Sequence, residues 1–230
     1  MAVIVQRRIP SITTVLIAAT LAMSIVAAVD ARAGGELYHH LALLPEAIWR
    51  GQLWRLMTWP FIQGGPLSLI FACVVLYVFG SDLLTSWGPR RYVWYLAGIV
   101  LIAGIGTSLI ALMIPAAWDL PHLAGMVVGD ALVIAWARRF PDHPVSIYFV
   151  LVVRGRTLVS VIVAITVLFA VFSGIAWMLP ELLGVAAALL DMNRAARRRW
   201  LKIKLAWTRR KLRVVRGGRS DDSSDDSGEA

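Results

Sequence analysis

The chain has 230 residues, of which 59% are hydrophobic and 16% charged, and its mean hydropathy is +0.72. This composition excludes an ordinary soluble domain, and the single cysteine, Cys73, excludes a disulfide framework. The net charge at pH 7 is +9, and most of the basic residues lie between the apolar segments or after the last one. These features are typical of an integral membrane protein.

Five apolar segments are long enough to cross a bilayer as helices, since a span needs about 20 mainly apolar residues. A sixth segment, Leu179 to Leu190, is shorter and contains Pro180. We therefore predict an all-α membrane protein with six transmembrane helices. The five longer segments are Ser11–Val29, Pro66–Leu84, Tyr92–Ile114, Leu120–Trp136 and Thr157–Trp177.

The basic residues predict that both termini are cytoplasmic, because Lys and Arg close to spans are retained on that side. With six crossings, only three of the 23 lysines and arginines fall outside, and all three lie in the first outer loop. A signal peptide cleaved near Ala31 to Ala33 is the alternative, but the segment from Ser11 to Val29 is long for one. We expect a multi-pass protein of a bacterial inner membrane.

The first outer loop, residues 31–65, interleaves Trp and Arg with apolar residues in the stretch LALLPEAIWRGQLWRLMTWPFIQGG. It is too polar to span a membrane and too apolar for an ordinary loop. We predict short amphipathic helices in the membrane interface. Arg55 is expected to bond either to carbonyl groups of its own loop or to lipid headgroups.

Motifs in and after this loop resemble those of a known protein family. Residues 51–58 read GQLWRLMT, with Trp54 and Arg55 at their centre, the next span contains Phe79 and Gly80, and the turn after it reads Gly88-Pro89-Arg90-Arg91. In these motifs and their spacing the chain resembles the rhomboid family of intramembrane serine proteases and their non-catalytic relatives. The resemblance runs from about Ser11 to Leu190. It implies a six-helix bundle with the Trp-Arg loop between helices 1 and 2.

The catalytic residues implied by that resemblance are missing. Ala124 stands at the position of the serine nucleophile, and Leu182 at that of the histidine base. Ser68 and Ala72 replace the polar residues that support the oxyanion, and Leu84 replaces a glutamate. A methyl group cannot attack a carbonyl. The resemblance therefore implies a pseudoprotease.

Small residues remain where the family brings its helices together. Gly125 and Gly129 on the fourth span, and Gly184 and Ala188 on the sixth, form small-xxx-small pairs. Such pairs allow backbones to approach closely in a membrane, where lipid supplies no hydrophobic drive for helix pairing. We expect the helix packing to be preserved without the chemistry.

Two polar residues of the fourth span need another explanation. His122, at the outer mouth of the span, is expected to be solvated or interfacial. Asp130 lies about ten residues into the predicted span, where a carboxyl group pairs, protonates or lines a wet cavity. We expect either a structural hydrogen bond or a place in a polar cavity that includes His122. The candidate partners are the hydroxyl groups of Thr107, Ser108, Ser160 and Thr166.

The chain after the last span is strongly basic and then acidic. Residues 194–219 are predicted to form an amphipathic cytoplasmic segment on anionic lipid headgroups. Its membrane-surface residues are Trp200, Trp207, Arg197, Arg198 and Arg199. RNA contact is the weaker alternative, because no RNA-binding motif is present and no nucleic acid is expected. Residues 220–230 are acidic and expected to be disordered. The predicted organisation is a cytoplasmic segment 1–10, a membrane domain 11–193, the basic segment and this tail.

These observations predict a pseudoprotease that binds transmembrane segments of client proteins without cleaving them. One alternative is an active rhomboid-type serine endopeptidase whose nucleophile is not at the aligned position. A second is a small transporter or channel that uses Asp130. No cofactor or metal is expected, because the chain has no phosphate-binding loop or zinc signature, and the adjacent His39 and His40 point their side chains apart.

Overall fold

The computed structural model describes residues 11–142, 144–147 and 151–191. Their regular structure is helical apart from a short antiparallel hairpin of β1 (Pro144–Ile147) and β2 (Leu151–Arg154), in which Pro144 pairs with Arg154. The helices belong to one compact unit, Met1–Leu190. The predicted N-terminal segment, the basic segment with its Trp and Arg residues, and the acidic tail lie outside the described residues.

The first long helix, α1 (Ser11–Arg32), is followed by three short ones: α2 (Leu37–Leu41), α3 (Pro45–Trp49) and α4 (Arg55–Thr58). Proline starts α3, where its missing N–H costs nothing. Gly51 takes a positive φ of 95° and turns the chain between α3 and α4. The loop therefore contains short helices as predicted, while its place in a membrane interface stays a prediction.

The second and third long helices form a tight pair. α5 (Pro66–Val75) continues through a wider π turn (Leu76–Gly80) into α6 (Ser81–Trp87). Gly88, with φ of 82°, then reverses the chain into α7 (Pro89–Ile110). Three helices of the described chain are long and apolar enough to cross a membrane: Ile12–Arg32, Pro66–Trp87 and Pro89–Ile110.

The predicted fourth span, Leu120–Trp136, is wrong at its start, because α8 runs from Val127 to Arg139. The residues before it pair with the first loop instead. The His122 N–H donates to the Leu43 carbonyl at 2.8 Å, and the Leu43 N–H donates back at 2.9 Å. The Ala124 N–H donates to the Ile62 carbonyl at 3.0 Å. This stretch is apolar because it is packed beneath the loop, and its backbone bonds are made there rather than in a helix.

The last two helices are α9 (Gly155–Ser173) and α10 (residues 179–191), separated by Gly174 with φ of 89°. α9 packs against α8. One cluster of the hydrophobic core lies where α6, α7 and α8 meet. Its buried members are Leu76, Leu83, Leu84, Tyr92, Leu132, Ala135, Trp136 and Ala137.

Gly80 shows how tightly these helices approach. A Cβ atom at Gly80 would lie only 2.7 Å from the Tyr92 hydroxyl oxygen of α7. A Cβ so close would push the Tyr92 side chain away, so glycine at position 80 lets the π turn pack closely against α7. The Phe-Gly motif is therefore a packing feature.

Candidate functional site

A cavity of about 230 Å³ lies between α1, α5, α7 and the start of α8. Most of its lining is apolar, from residues such as Leu16, Phe71 and Val100. Thr20, Gln63 and Ser68 are the polar members of the lining. Such a space, apolar with a few polar groups, is typical of a binding site.

Four residues singled out from the sequence line this cavity: Ser68, Ala72, Gly125 and Gly129. Ser68 donates through its hydroxyl group to the Gln63 side-chain carbonyl at 3.0 Å. The two positions expected near an oxyanion and the two small residues of the fourth span therefore border one space. The methyl group of Ala72 leaves room that a larger side chain would fill.

Gln63 is a site residue that sequence reasoning missed. Its backbone N–H donates to the Ser24 hydroxyl at 3.1 Å, and the Tyr38 hydroxyl donates to its carbonyl at 2.8 Å. The Ser24 hydroxyl also donates to the Phe61 carbonyl at 3.0 Å. These bonds fix the end of the loop to α1. The sequence did contain a signal for Gln63: it is a polar amide residue placed between the Trp-Arg loop and an apolar span.

The position aligned with a nucleophile is closed to chemistry. Ala124 is 2% exposed, and its amide is already bonded to Ile62. Gly125 has a φ of +46°, and a Cβ there would overlap the Glu181 carboxylate. That carboxylate accepts hydrogen bonds from the backbone amides of Met126 and Glu181. The Met126 amide, two residues after Ala124, is therefore already bonded to a carboxylate, and that charge would repel a developing oxyanion.

Glu181 was also missed from the sequence, although a glutamate at the start of the apolar segment 179–190 was a visible signal. It lies one residue before Leu182, the position aligned with a histidine base. Through Glu181, the start of α10 reaches the turn that precedes α8.

The expected small-residue face of the fourth span is divided between two neighbours. A Cβ at Gly129 would meet the Val75 Cγ1 of α5 at 3.6 Å, whereas Gly125 faces Glu181 of α10. The two glycines do not share a helical face, because Gly125 lies before the first residue of α8.

The small-residue pair of α10, in contrast, does face α8. A Cβ at Gly184 would lie 2.6 Å from Val127 Cγ1, and Ala188 is buried one turn later. A Cβ at Gly106 of α7 would similarly lie 2.9 Å from Leu183 Cδ1. α10 therefore packs closely against both α7 and α8.

Asp130 lies in the first turn of α8 rather than deep in the helix, because α8 starts later than predicted. Thr166 of α9 donates to its Oδ2 at 3.5 Å, the outer limit of a hydrogen bond. Of the other expected partners, Ser108 donates to the Gly104 carbonyl at 2.8 Å. Asp130 thus contacts α9, and it does not line the cavity.

His122 is 3% exposed, so the expectation of a solvated histidine is wrong. Its backbone pairing with Leu43 holds it beneath the first loop, where its ring lies edge-to-face with Trp177 at 6.5 Å between centroids. Within the described part of the chain, neither ring nitrogen makes a hydrogen bond of good geometry, and the Trp177 backbone is the polar group beside it. His122 does not line the cavity either.

Arg55 is bonded to its own loop. Its guanidinium donates to the carbonyls of His39 and Ala42 and, through Nε, to the Gln52 side chain at 2.6 Å. It is 4% exposed, whereas the neighbouring Trp54 is 53% exposed. Burial lowers the pKa of Arg55, but an arginine stays protonated at physiological pH. Arg55 therefore holds α2 and α4 together, and the sequence had left this open.

Among the described residues, no group of three or more His, Cys, Asp or Glu is placed to hold a metal ion. His39 and His40 are exposed on α2.

Residues 13–190 match the family described as "Eukaryotic integral membrane protein (DUF1751)". The chain is also 31% identical over 154 residues to Derlin-1 of Arabidopsis thaliana. That alignment covers 64% of this chain and 53% of the relative. The chain therefore spans about half the length of the curated relative it matches.

These matches correct two expectations. The assignment to the rhomboid family is wrong, since the matched family is DUF1751 and the relative is a derlin. In this structure Arg55 of those motifs bonds its own loop, and Gly80 packs against α7. The bacterial inner membrane is also wrong, because the matched family is eukaryotic. Span lengths and basic loops, the features used to assign a membrane, are shared by both kinds of cell.

Proposed function

The chain belongs to the family of eukaryotic integral membrane proteins described as DUF1751, and from this premise we propose that it binds membrane-spanning segments of other proteins without cleaving them. The observation that carries the proposal is the apolar cavity of about 230 Å³ between α1, α5, α7 and α8.

The lining of the cavity fits part of a membrane helix. Association of helices in lipid depends on close packing and on interhelical hydrogen bonds, because lipid chains are as apolar as the side chains. Ala72, Ala97 and Gly129 supply small walls for packing. Gln63, Ser68 and Thr20 supply the hydrogen-bonding groups. We infer that the preferred client segment presents an apolar side chain next to a polar one.

The absence of cleavage follows from the chemistry around residue 124. Ala124 has no nucleophilic group, and its amide is bonded to Ile62. The nearby Glu181 carboxylate occupies the Met126 amide. A hydrolase needs a nucleophile, a base and free donors for the oxyanion. Binding without turnover is what this arrangement supports.

We further propose that the bundle crosses the membrane six times, with α8, α9 and α10 completing the three long spans. The helix Thr157–Ser173 of α9 is apolar though shorter than those spans. In a Cys73→Ser background, single cysteines placed before Trp54 and after Arg199 should label from opposite sides of the membrane. Labelling of both cysteines from the same side would contradict the count of six crossings.

Site-specific crosslinking tests the binding. A photoreactive amino acid at Ala97, inside the cavity, should capture a reconstituted single-span peptide of leucines with one central glutamine. The same group at Ile102, in the same helix but 53% exposed and outside the lining, is the matched control. Mass spectrometry should find the captured peptide intact.

An Ala97→Phe variant, which fills the cavity, should lose the capture measured from a photoreactive group at neighbouring Val93. Equal capture from positions 97 and 102, or cleavage of the peptide, would contradict the proposal. A peptide with leucine in place of the glutamine should be captured less well, because it cannot bond to Gln63 or Ser68.

A second candidate is a small transporter. Asp130, with its Thr166 partner, and Glu181, which bonds the Met126 amide, place two interacting carboxylates near the start of α8. Carboxylates within spans mark ion and proton paths in many transporters. Proton flux into liposomes that falls in Asp130→Asn, and not in Asp82→Asn, would favour this candidate over client binding.

A further inference from the structure

The ends of α6 and α8 and the start of α7 meet around Trp87 and carry a group of arginines. The guanidinium carbon of Arg91 lies 4.8 Å from the centroid of the Trp87 ring, and that of Arg138 lies 5.4 Å from it. Arg139 donates through Nε to the Ser86 hydroxyl at 2.7 Å. We call Trp87, Arg91, Arg138 and Arg139 the Trp87 cluster.

A ring contact and two hydrogen bonds tie the three helices together beneath this cluster. Trp87 packs edge-to-face on Tyr95 at 5.2 Å between ring centroids. The Tyr95 hydroxyl donates to the Ala131 carbonyl at 2.9 Å and ties α7 to α8. Trp136 donates to Asp82 at 3.0 Å and ties α8 to α6. The guanidinium groups are therefore presented by fixed helix ends.

The charge at this end of the bundle is positive. The segments 82–91 and 136–142 contain Arg90, Arg91, Arg138 and Arg139 but only two carboxylates, Asp82 and Asp142. Arg90, Arg91 and Arg139 are exposed. Asp82 is partly engaged by Trp136. The four arginines outnumber the two carboxylates in these segments, so this end of the bundle attracts anions.

The position of the cluster indicates where the anion comes from. Trp87 ends the candidate span Pro66–Trp87, and Arg91 follows the start of the candidate span Pro89–Ile110. The cluster is therefore at the level where spans leave the hydrocarbon region, which is where Trp residues are enriched. The guanidinium group of arginine donates two parallel hydrogen bonds to the oxygens of a phosphate group. Basic pockets between membrane helices are known to bind anionic headgroups.

We propose that the Trp87 cluster binds the phosphate of an anionic phospholipid headgroup, with Arg91 and Arg138 on the Trp87 ring and Arg139 beside them. This site is on the α6, α7 and α8 ends and is independent of the cavity. An arginine near an anionic membrane surface contributes about a fivefold gain in binding, which corresponds to ~1 kcal/mol. The gain should weaken as salt is raised.

The test uses the full chain in phosphatidylcholine proteoliposomes with trace spin-labelled lipids. The ratio of association constants for phosphatidic acid and phosphatidylcholine is measured by electron spin resonance. Arg91→Gln and Arg139→Gln should each lower this ratio about fivefold at low salt. Arg32→Gln and Arg50→Gln are matched controls. Both side chains are exposed, and neither belongs to the Trp87 cluster: Arg32 ends α1 and Arg50 follows α3 in the first loop.

Trp87→Leu keeps every charge but removes the ring that positions two of them, so it should also lower the ratio. Residues 194–219 are unchanged in all variants and contribute equally to each measurement. An equal loss in Arg32→Gln and Arg50→Gln would overturn the proposal. So would displacement of the labelled lipid by inorganic phosphate or by a soluble acidic peptide at matched charge, which would make the partner a free anion or a protein.

A measurement on the unaltered protein decides the matter if the variants fail to fold. Phenylglyoxal modifies accessible arginines, and the modified positions are read by mass spectrometry. Phosphatidic acid in the bilayer should slow the modification of Arg91 and Arg139 at least threefold more than that of Arg32. This threshold is set below the expected gain in binding of about fivefold per arginine. Equal protection, or no preference of the unaltered protein for phosphatidic acid, would overturn the proposal.

Discussion

Gly125 and Gly129 should respond in opposite ways to the addition of one methyl group. Gly125 lies in the turn before α8 and Gly129 in the first turn of α8, four residues later, and both border the cavity. Gly125→Ala should destabilise the bundle, whereas Gly129→Ala should leave its stability unchanged or raise it. The pair therefore separates a local steric requirement from a general intolerance of larger residues.

The magnitude at Gly125 has two sources. Its φ of +46° is left-handed, which costs an L-residue with a Cβ about 1–2 kcal/mol. The new methyl group would also displace the Glu181 carboxylate from the Met126 amide, and a hydrogen bond to a charged group contributes about 1.5–3 kcal/mol. Gly125→Ala should therefore lower the free energy of unfolding by roughly 2–5 kcal/mol.

The expectation at Gly129 follows from ordinary contact and helix propensity. A Cβ there would meet Val75 Cγ1 at 3.6 Å, which is a normal van der Waals distance. Alanine is favoured over glycine by up to about 1 kcal/mol in a helix interior, and by less in the first turn, where Gly129 lies. Because the methyl group also enters the cavity, client capture should fall in this variant while stability does not.

Thermal unfolding in detergent, followed by helical circular dichroism, measures the difference. At about 2–4 °C per kcal/mol for chains of this size, Gly125→Ala should lower Tm by roughly 4–20 °C. In a Glu181→Ala background the cost of Gly125→Ala should shrink to the backbone contribution alone, which a double-mutant cycle isolates. Equal Tm values for Gly125→Ala and Gly129→Ala, or full additivity with Glu181→Ala, would refute the reasoning.

Three other expectations concern single positions. Arg55→Gln should lower the free energy of unfolding by about 2–5 kcal/mol, because two loop carbonyls lose a buried charged donor. A smaller fall in Tm than that caused by the exposed Arg50→Gln would refute this expectation. Gly184→Ala should cost about 1–3 kcal/mol, since Val127 must move to admit a Cβ now 2.6 Å from its Cγ1; an unchanged Tm would show that α8 shifts freely. Ala124→Ser should not react with fluorophosphonate probes, because leucine stands at position 182 in place of the histidine base. Labelling of the unaltered protein, mapped to one serine, would restore the protease alternative.

The long helices were predictable because their signal is local. α1, α5 with α6, and α7 were predicted from apolar length alone. The predicted start at Pro66 is confirmed, whereas the third span was predicted from Tyr92 and its helix starts three residues earlier, at Pro89. The boundary of α8 was missed, because the apolar stretch before it resembles a helix in composition. Its backbone bonds go to Leu43 and Ile62, which lie far away in the chain.

For the candidate site, the sequence by itself determined which groups are absent and which positions are small. Ala124 carries no nucleophile in any fold, and Gly125, Gly129 and Gly184 can approach a neighbour in any bundle. Only the tertiary structure decided which neighbour each one meets. Glu181 lies against Gly125, Val75 against Gly129, and the buried His122 beneath the first loop. Apolar length and residue type are read along the chain, whereas these contacts depend on how separate helices are placed by packing, and periodicity does not encode that placement.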